Sequence, residues 1–234
     1  MTDPAKIAWV TIEGSGRHNL LTVDAIRRLI AVVEALGHSS PSVVLLKGRG
    51  SFSAGADLAE ISDMTSAEFT ALLDLELNLC DLLEALPCPT VAVVEGLCQG
   101  SGAELALACD LRIAARSARF ALPETAAGFP APVHRLARAV PAAVAADIVF
   151  TGRRLDAVEG LRVGLYSRVV ADDELGSDAG RLADRLAAAR VGALRTTKDW
   201  LARAYAGESV QREELRAMSG SIFADWKASQ ARKA

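Results

Sequence analysis

Twice along this chain a short apolar strand ends in a glycine-bearing loop that leads into a helix, and that repeat limits the folds open to it. Val43-Val44-Leu45-Leu46, at the centre of a strand read over Ser42–Lys47, runs into a loop from Gly48 through Gly55. Thr90–Val94 runs into a second small-residue loop, Gly96–Gly102. Strands that are apolar at every position are buried on both faces, as in a parallel sheet covered by helices. The intervening helices are legible from their caps and spacing. Thr22 reads as an N-cap and Gly37 as the closing residue of a helix whose face carries Ile26, Leu29, Ile30, Val33 and Leu36. Thr65-Ser66-Ala67-Glu68 has capping-box form and opens the stripe Phe69, Leu72, Leu73, Leu79, Leu83, Leu86, which Pro87 and Pro89 stop. The expected architecture is an α/β domain of repeated ββα-like units over residues 1–175. The polar run Asp172–Ser177 reads as a hinge into a C-terminal helical region, 176–234, with two or three helices and a frayed end over 227–234.

Composition narrows the class. With 234 residues, 51% hydrophobic and 24% charged, the chain can bury one large core and is not a disordered sequence. Net charge is −3, with acids and bases mixed along the chain, so the basic stripe expected of a nucleic-acid binder is missing. Cys80, Cys88, Cys98 and Cys109 lack the paired short spacing of a zinc site and read as buried free thiols. His18, His38 and His134 are scattered without ligand spacing, so no metal is expected. The N-terminus shows no basic region followed by an apolar stretch, and Glu95, Glu104 and Asp110 interrupt the longest apolar runs. A cytoplasmic location is the expectation.

Two acids stand out. Glu104 lies in Gly100-Ser101-Gly102-Ala103-Glu104-Leu105-Ala106-Leu107-Ala108-Cys109, where its neighbours are small or apolar. A buried carboxylate without partners costs several kcal/mol or shifts its pKa upward. In the first turn of a helix starting near Ser101 it would instead act as an ordinary anion at a positive helix end, and these residues alone do not choose. Glu124 follows Pro123, which is common helix-start grammar, but with Glu104 it could complete a carboxylate pair for general acid/base work. The loop Gly50–Leu58 could be a turn, or could aim free backbone amides at a developing oxyanion. It lacks the Gly-Lys-Ser ending of a nucleotide P-loop. Neither glycine loop has dinucleotide-binding spacing, and Gln99–Ala103 misses the Gly-x-Ser-x-Gly elbow by offset.

In their order and spacing, Phe52–Leu58, Gly100–Ala106 and Phe120–Glu124, with a weaker match at Leu155–Leu165, resemble the enoyl-CoA hydratase/isomerase (crotonase) superfamily from about Ile7 to Phe223. The resemblance implies a crotonase-like spiral of ββα units with a C-terminal helical region. It implies that the amides of Ala56 and Ser101 form the oxyanion hole of an acyl thioester. It further implies that Ala54, Ala56, Asp57 and Leu58 lie along the coenzyme A path, with coenzyme A carried by the substrate and no metal or redox cofactor. Glu104 and Glu124 match the two carboxylates that activate water in the hydratases, which ranks hydration of a 2-enoyl thioester first. A homotrimer or hexamer is implied through the C-terminal helices, where Trp200, Tyr205, Phe223 and Trp226 could supply contacts.

Three departures bear on substrate. Ser101 stands where the family has glycine. The stretch Gly128–Val133 is about three residues shorter than usual. The chain also stops soon after Trp226, without the family's final basic-aromatic helix. An isomerase using Glu124 alone, another enolate-forming thioester enzyme such as a decarboxylase, an acyl-carrier-protein thioester as substrate, and a non-catalytic thioester-binding subunit remain as alternatives.

Overall fold

The computed structural model describes residues 6–210, together with 212, 213, 216 and 228. The chain runs through β1 (Ile7–Thr11), α1 (Val23–Ser39), β2 (Val43–Lys47), α2 (Leu58–Ser62), α3 (Ser66–Ala85), β3 (Thr90–Val94), β4 (Leu97–Gln99) and α4 (Ser101–Ala108). It continues through β5 (Leu111–Ala115), β6 (Arg119–Ala121), a 3₁₀ turn at Glu124–Ala127, α5 (His134–Ala139), α6 (Ala142–Thr151) and β7 (Leu155–Asp156). Then come α7 (Ala157–Arg162), β8 (Arg168–Val170), α8 (Leu175–Ala188) and α9 (Val191–Tyr205).

The five strands β1-β2-β3-β5-β8 form one parallel sheet in that order, and β4-β6-β7 form a second. After β2 the chain reaches Ser53, which bridges in parallel to Cys98 of β4. After β3 it enters β4, and after β5 it enters β6, which pairs in parallel with β4. Each pass thus adds extended backbone to both layers before turning into α2 and α3, into α4, or into the 3₁₀ turn. This is the spiral of ββα units expected from the repeated strand and glycine loop.

Alternate residues of the parallel strands supply two cores, because successive side chains point to opposite faces. Val44, Leu46, Ala92, Val94 and Ala114 join the larger cluster with α1, α3 and α4. Val43, Leu45, Val91, Val93, Ile113 and Ala115 face Leu175, Ala179, Leu182 and Ala183 of α8. All four cysteines are buried, and none is in a disulfide.

Local signals hold in most places. Thr22 accepts from the Ala25 amide at 3.1 Å, and Thr65 and Glu68 close both halves of the capping box. Helix α1, however, passes through Gly37, and Ser40 takes the left-handed cap (φ 53°), donating its amide to Leu36. A glycine two residues before the last costs only propensity, and packing of Leu29 and Val33 outweighs it. The stretch Asp172–Ser177 is a 3₁₀ turn running straight into α8, anchored by buried Leu175, rather than an irregular hinge.

The first compact unit extends to Val191 and the second starts at Gly192. In the second, Arg203 of α9 is held by Asp199, Glu208 and Glu213. Of the four aromatic residues considered for subunit contacts, Trp200 and Tyr205 lie on α9, whereas Phe223 and Trp226 fall outside the described residues. No described helix is long and apolar enough to cross a membrane.

Leu83 of α3 is 1% exposed within the larger core. Leu83→Ala is expected to destabilise the fold by about 2–5 kcal/mol, read as a lower urea midpoint at unchanged slope.

Candidate active site

The two glycine loops meet backbone to backbone. A Cβ on Gly55 (φ 91°) would stand 2.7 Å from the Gln99 carbonyl oxygen and 3.4 Å from the Ser101 nitrogen. On Gly102 it would stand 2.7 Å from Ser53. The first loop is pinned by Ala54 N–H donating to His18, Leu21 N–H to Gly55 and Asp57 N–H to Leu21, at 2.8–3.2 Å. Ser53 Oγ accepts from the Gly55 amide and donates to the Asn19 carbonyl. Across this pattern the Ala56 amide is left without an acceptor among the described residues. So is the Ser101 amide, which heads α4 and shares the positive end of its dipole. Both can serve an anionic oxygen.

Three carboxyl groups, two expected and one not, lie around these loops. Glu104 is in the first turn of α4, and its side chain is 13% exposed. Its Oε2 is 3.4 Å from Arg135 Nη1, while its Oε1 is buried with no hydrogen-bond partner. Glu124 opens the 3₁₀ turn against the second loop: a Cβ on Gly100 (φ 53°) would be 3.3 Å from Glu124 Oε1. Glu124 Oε2 is also buried and unpartnered. The third carboxyl is Glu76 of α3, whose Oε1 accepts the Ser101 hydroxyl at 2.6 Å.

Burial is the main force on all three, since it disfavours the charged form. It raises Glu104 above the usual carboxylate range, against the charge and hydrogen bond of Arg135. It raises Glu124 too, against a backbone hydrogen bond, and the charge of Glu104 adds to the rise. Burial pushes Glu76 up to about 6, opposed by the Ser101 hydrogen bond and reinforced by Glu124 and Glu104. Arg135, 6% exposed on α5, is the cation paired with Glu104 and also pairs with Asp81 at 2.7 Å and Glu84 at 3.3 Å.

The remaining expected positions fall along the same loop. Asp57 caps α2, accepting from Ala59 N–H at 3.1 Å and from Ser15 Oγ at 3.0 Å. Leu58 is 68% exposed, and Ala54 and Ala56 are half-buried. The stretch after Glu124 is a capped turn in which Gly128 (φ 86°) and Phe129 donate back to Thr125 and Glu124. Phe129 packs on Phe69 of α3 with ring centroids 5.6 Å apart. Two open surface cavities, about 430 and 340 Å³, hold none of the three glutamates.

Residues 2–233 match the enoyl-CoA hydratase/isomerase family. The chain belongs to that family. It is 35% identical to a short-chain-enoyl-CoA hydratase of Clostridium acetobutylicum over 187 residues, 77% of this chain and 72% of that one. It is 33% identical to a crotonyl-CoA hydratase of Syntrophomonas wolfei over 221 residues, 92% of this chain and 83% of that one. The crystal structure of an enoyl-CoA hydratase from Bacillus anthracis superposes with a TM-score of 0.90 at 28% identity, covering 100% of this chain and 95% of that one. Enoyl-CoA hydratase/isomerase relatives thus share the whole spiral.

Within this family member, sequence reasoning missed Glu76 and Arg135. Glu76 had a signal: it fills the gap in the α3 stripe between Leu72 and Leu79, where an apolar residue was due. Arg135 had none, since Arg138 beside it carries the same charge and only the helix face separates a 6% exposed side chain from a 36% exposed one.

An acid with a higher pKa folded than unfolded binds extra protons in the native state, so stability falls as pH rises through that window. Glu76, moving from 4.5 to about 6, is expected to contribute a loss of about 2 kcal/mol between pH 4.5 and 7. Urea unfolding should show the native protein losing that much relative to Glu76→Gln over the same interval; parallel curves would contradict it.

Proposed function

We propose that this chain is an enoyl-CoA hydratase, adding water to a 2-enoyl thioester without a metal or redox cofactor. The observation that carries the reading is the pair of buried, unpartnered carboxyl oxygens, Glu104 Oε1 and Glu124 Oε2, on elements that adjoin the glycine loops with the two uncommitted amides. Addition of water to the double bond sends its electrons toward the thioester carbonyl, and the amides of Ala56 and Ser101 receive the resulting enolate oxygen. Burial strengthens that stabilisation because little water competes for the charge.

The two acids divide the proton work by their surroundings. Glu104 has Arg135 beside it, which favours its carboxylate, so it takes a proton from water as oxygen bonds to C3. Glu124 lies in no ion pair among the described residues, and Glu104 opposes its ionisation, so it is the acid that protonates C2. The water's proton ends on Glu104 and the Glu124 proton on carbon, and exchange with solvent resets the pair. Ala54, Asp57 and Leu58 border the path of the coenzyme A carrier. A homotrimer or hexamer, located in the cytoplasm, goes with this reading.

Loss of conjugated enoyl-thioester absorbance from crotonyl-CoA is the test. Glu104→Gln and Glu124→Gln are each expected to lower kcat by about 10²–10⁴-fold. Shift of a 3-enoyl thioester double bond without hydration, blocked only by Glu124→Gln, would replace the hydratase with an isomerase. Binding without turnover of any acyl thioester would replace it with a non-catalytic thioester-binding subunit.

A further inference from the structure

We propose that Glu76 is a positioning residue of the thioester site, acting through the Ser101 hydroxyl to keep the Ser101 amide open. The proposal rests on the reading that this amide is an oxyanion donor.

Glu76 occupies a position that packing would assign to an apolar side chain. It lies four residues after Leu72, three before Leu79 and four before Cys80, all buried at 1–3% exposure, so it shares their face of α3. Burying a carboxyl among them is costly, and among the described residues no cation lies within ion-pair distance of it. Among the described residues its side-chain partner is the Ser101 hydroxyl, at the short distance typical of an O–H donor on a carboxylate.

Ser101 explains what that acid is for. Its amide sits where two backbones touch, 3.4 Å from the position of a Cβ on Gly55. A serine at the first position of a helix has three staggered rotamers, and its hydroxyl competes for nearby backbone and acidic groups. Glu104 lies one turn further along α4 and Glu124 packs against Gly100, the residue before Ser101, and each carries a buried oxygen with no hydrogen-bond partner, so acceptors other than Glu76 flank this serine. A fixed acceptor on α3 commits the hydroxyl hydrogen to Glu76, turning the side chain toward that helix and away from both the amide and the two acids. Serine at this place is thereby compatible with an open donor, and Glu76 is the condition for it.

The test is a double-mutant cycle with Glu76→Leu and Glu76→Gln, each in the native and Ser101→Gly backgrounds, following kcat and KM on crotonyl-CoA and the Kd of saturated butyryl-CoA by calorimetry. Glutamine keeps an acceptor oxygen and leucine does not. In the native background, Glu76→Leu should lower kcat roughly tenfold with a smaller change in KM, less than the ~10²–10³ of a lost donor because the amide remains. Glu76→Gln should stay within about threefold of native, and in the Ser101→Gly background all three residues at 76 should behave alike within about twofold. Equal loss in both backgrounds, or no loss with leucine beside Ser101, overturns the proposal. If the native protein binds butyryl-CoA but hydrates nothing, the hydratase reading fails, and the Kd values alone decide Glu76: weakening by leucine only beside Ser101 upholds it, and any other pattern overturns it. Thermal melts of all six proteins identify a variant that has failed to fold; should leucine be the one, Glu76→Ala, which also lacks an acceptor, replaces it in both backgrounds with the same expected pattern.

Discussion

A side chain would not fit where the two glycine loops cross, and the site follows from that crowding. Gly55 rests on the Gln99 carbonyl and Gly102 rests on Ser53, so two backbones approach as closely as their own atoms permit. Each loop leaves the carboxyl end of a strand in the same parallel sheet, and the sheet register sets how far apart they begin. Parallel strands buried on both faces hold that register, because a slip would carry Val43 and Leu45 out of one core and Val44 and Leu46 out of the other. The amides of Ala56 and Ser101 are thus held in place by packing many residues away. Gly100 adds a second consequence, since its missing Cβ leaves room for the Glu124 carboxyl.

Against this rigid frame the electrostatics are unbalanced. Glu76, Glu104 and Glu124 sense one another, and the buried cation near them, Arg135, is shared with Asp81 and Glu84. Such an arrangement opposes folding at neutral pH, because desolvation outweighs the compensating bonds for each acid. Groups held in that state are suited to proton transfer, where an acid and a base must differ in proton affinity while sharing one small volume. The position of Arg135 makes the difference: it favours charge on Glu104 and leaves Glu124 without a cation.

Much of the fold was legible because it rests on local chemistry. The apolar runs at 43–46 and 90–94, the Thr22 cap and the Thr65–Glu68 box each depend on residues within a few positions of one another, and each forms as the pattern predicts. Glu104 and Glu124 were conspicuous for being acids in apolar or turn settings, but a capping role explained either equally well. That the two could act as a pair was open from the residues, and family resemblance rather than spacing ranked that reading first. Glu76 was a gap in an otherwise apolar stripe. Its meaning depends on Ser101, 25 residues later, and no helical periodicity reports a partner on another element.

The sequence by itself determined the class of architecture, the helix starts, the two glycine-bearing loops after apolar strands, and the family. These are matters of side-chain periodicity and allowed dihedral angles, which neighbours along the chain decide. Tertiary structure alone decided that Glu76, as well as Glu104 and Glu124, lies by the second glycine loop, that Arg135 and not Arg138 pairs with Glu104, and that the Ser101 side chain turns toward α3. Those outcomes depend on distances between α3, α4, α5 and the turn after β6. Such distances arise only when the sheets bring remote segments together and exclude water from between them.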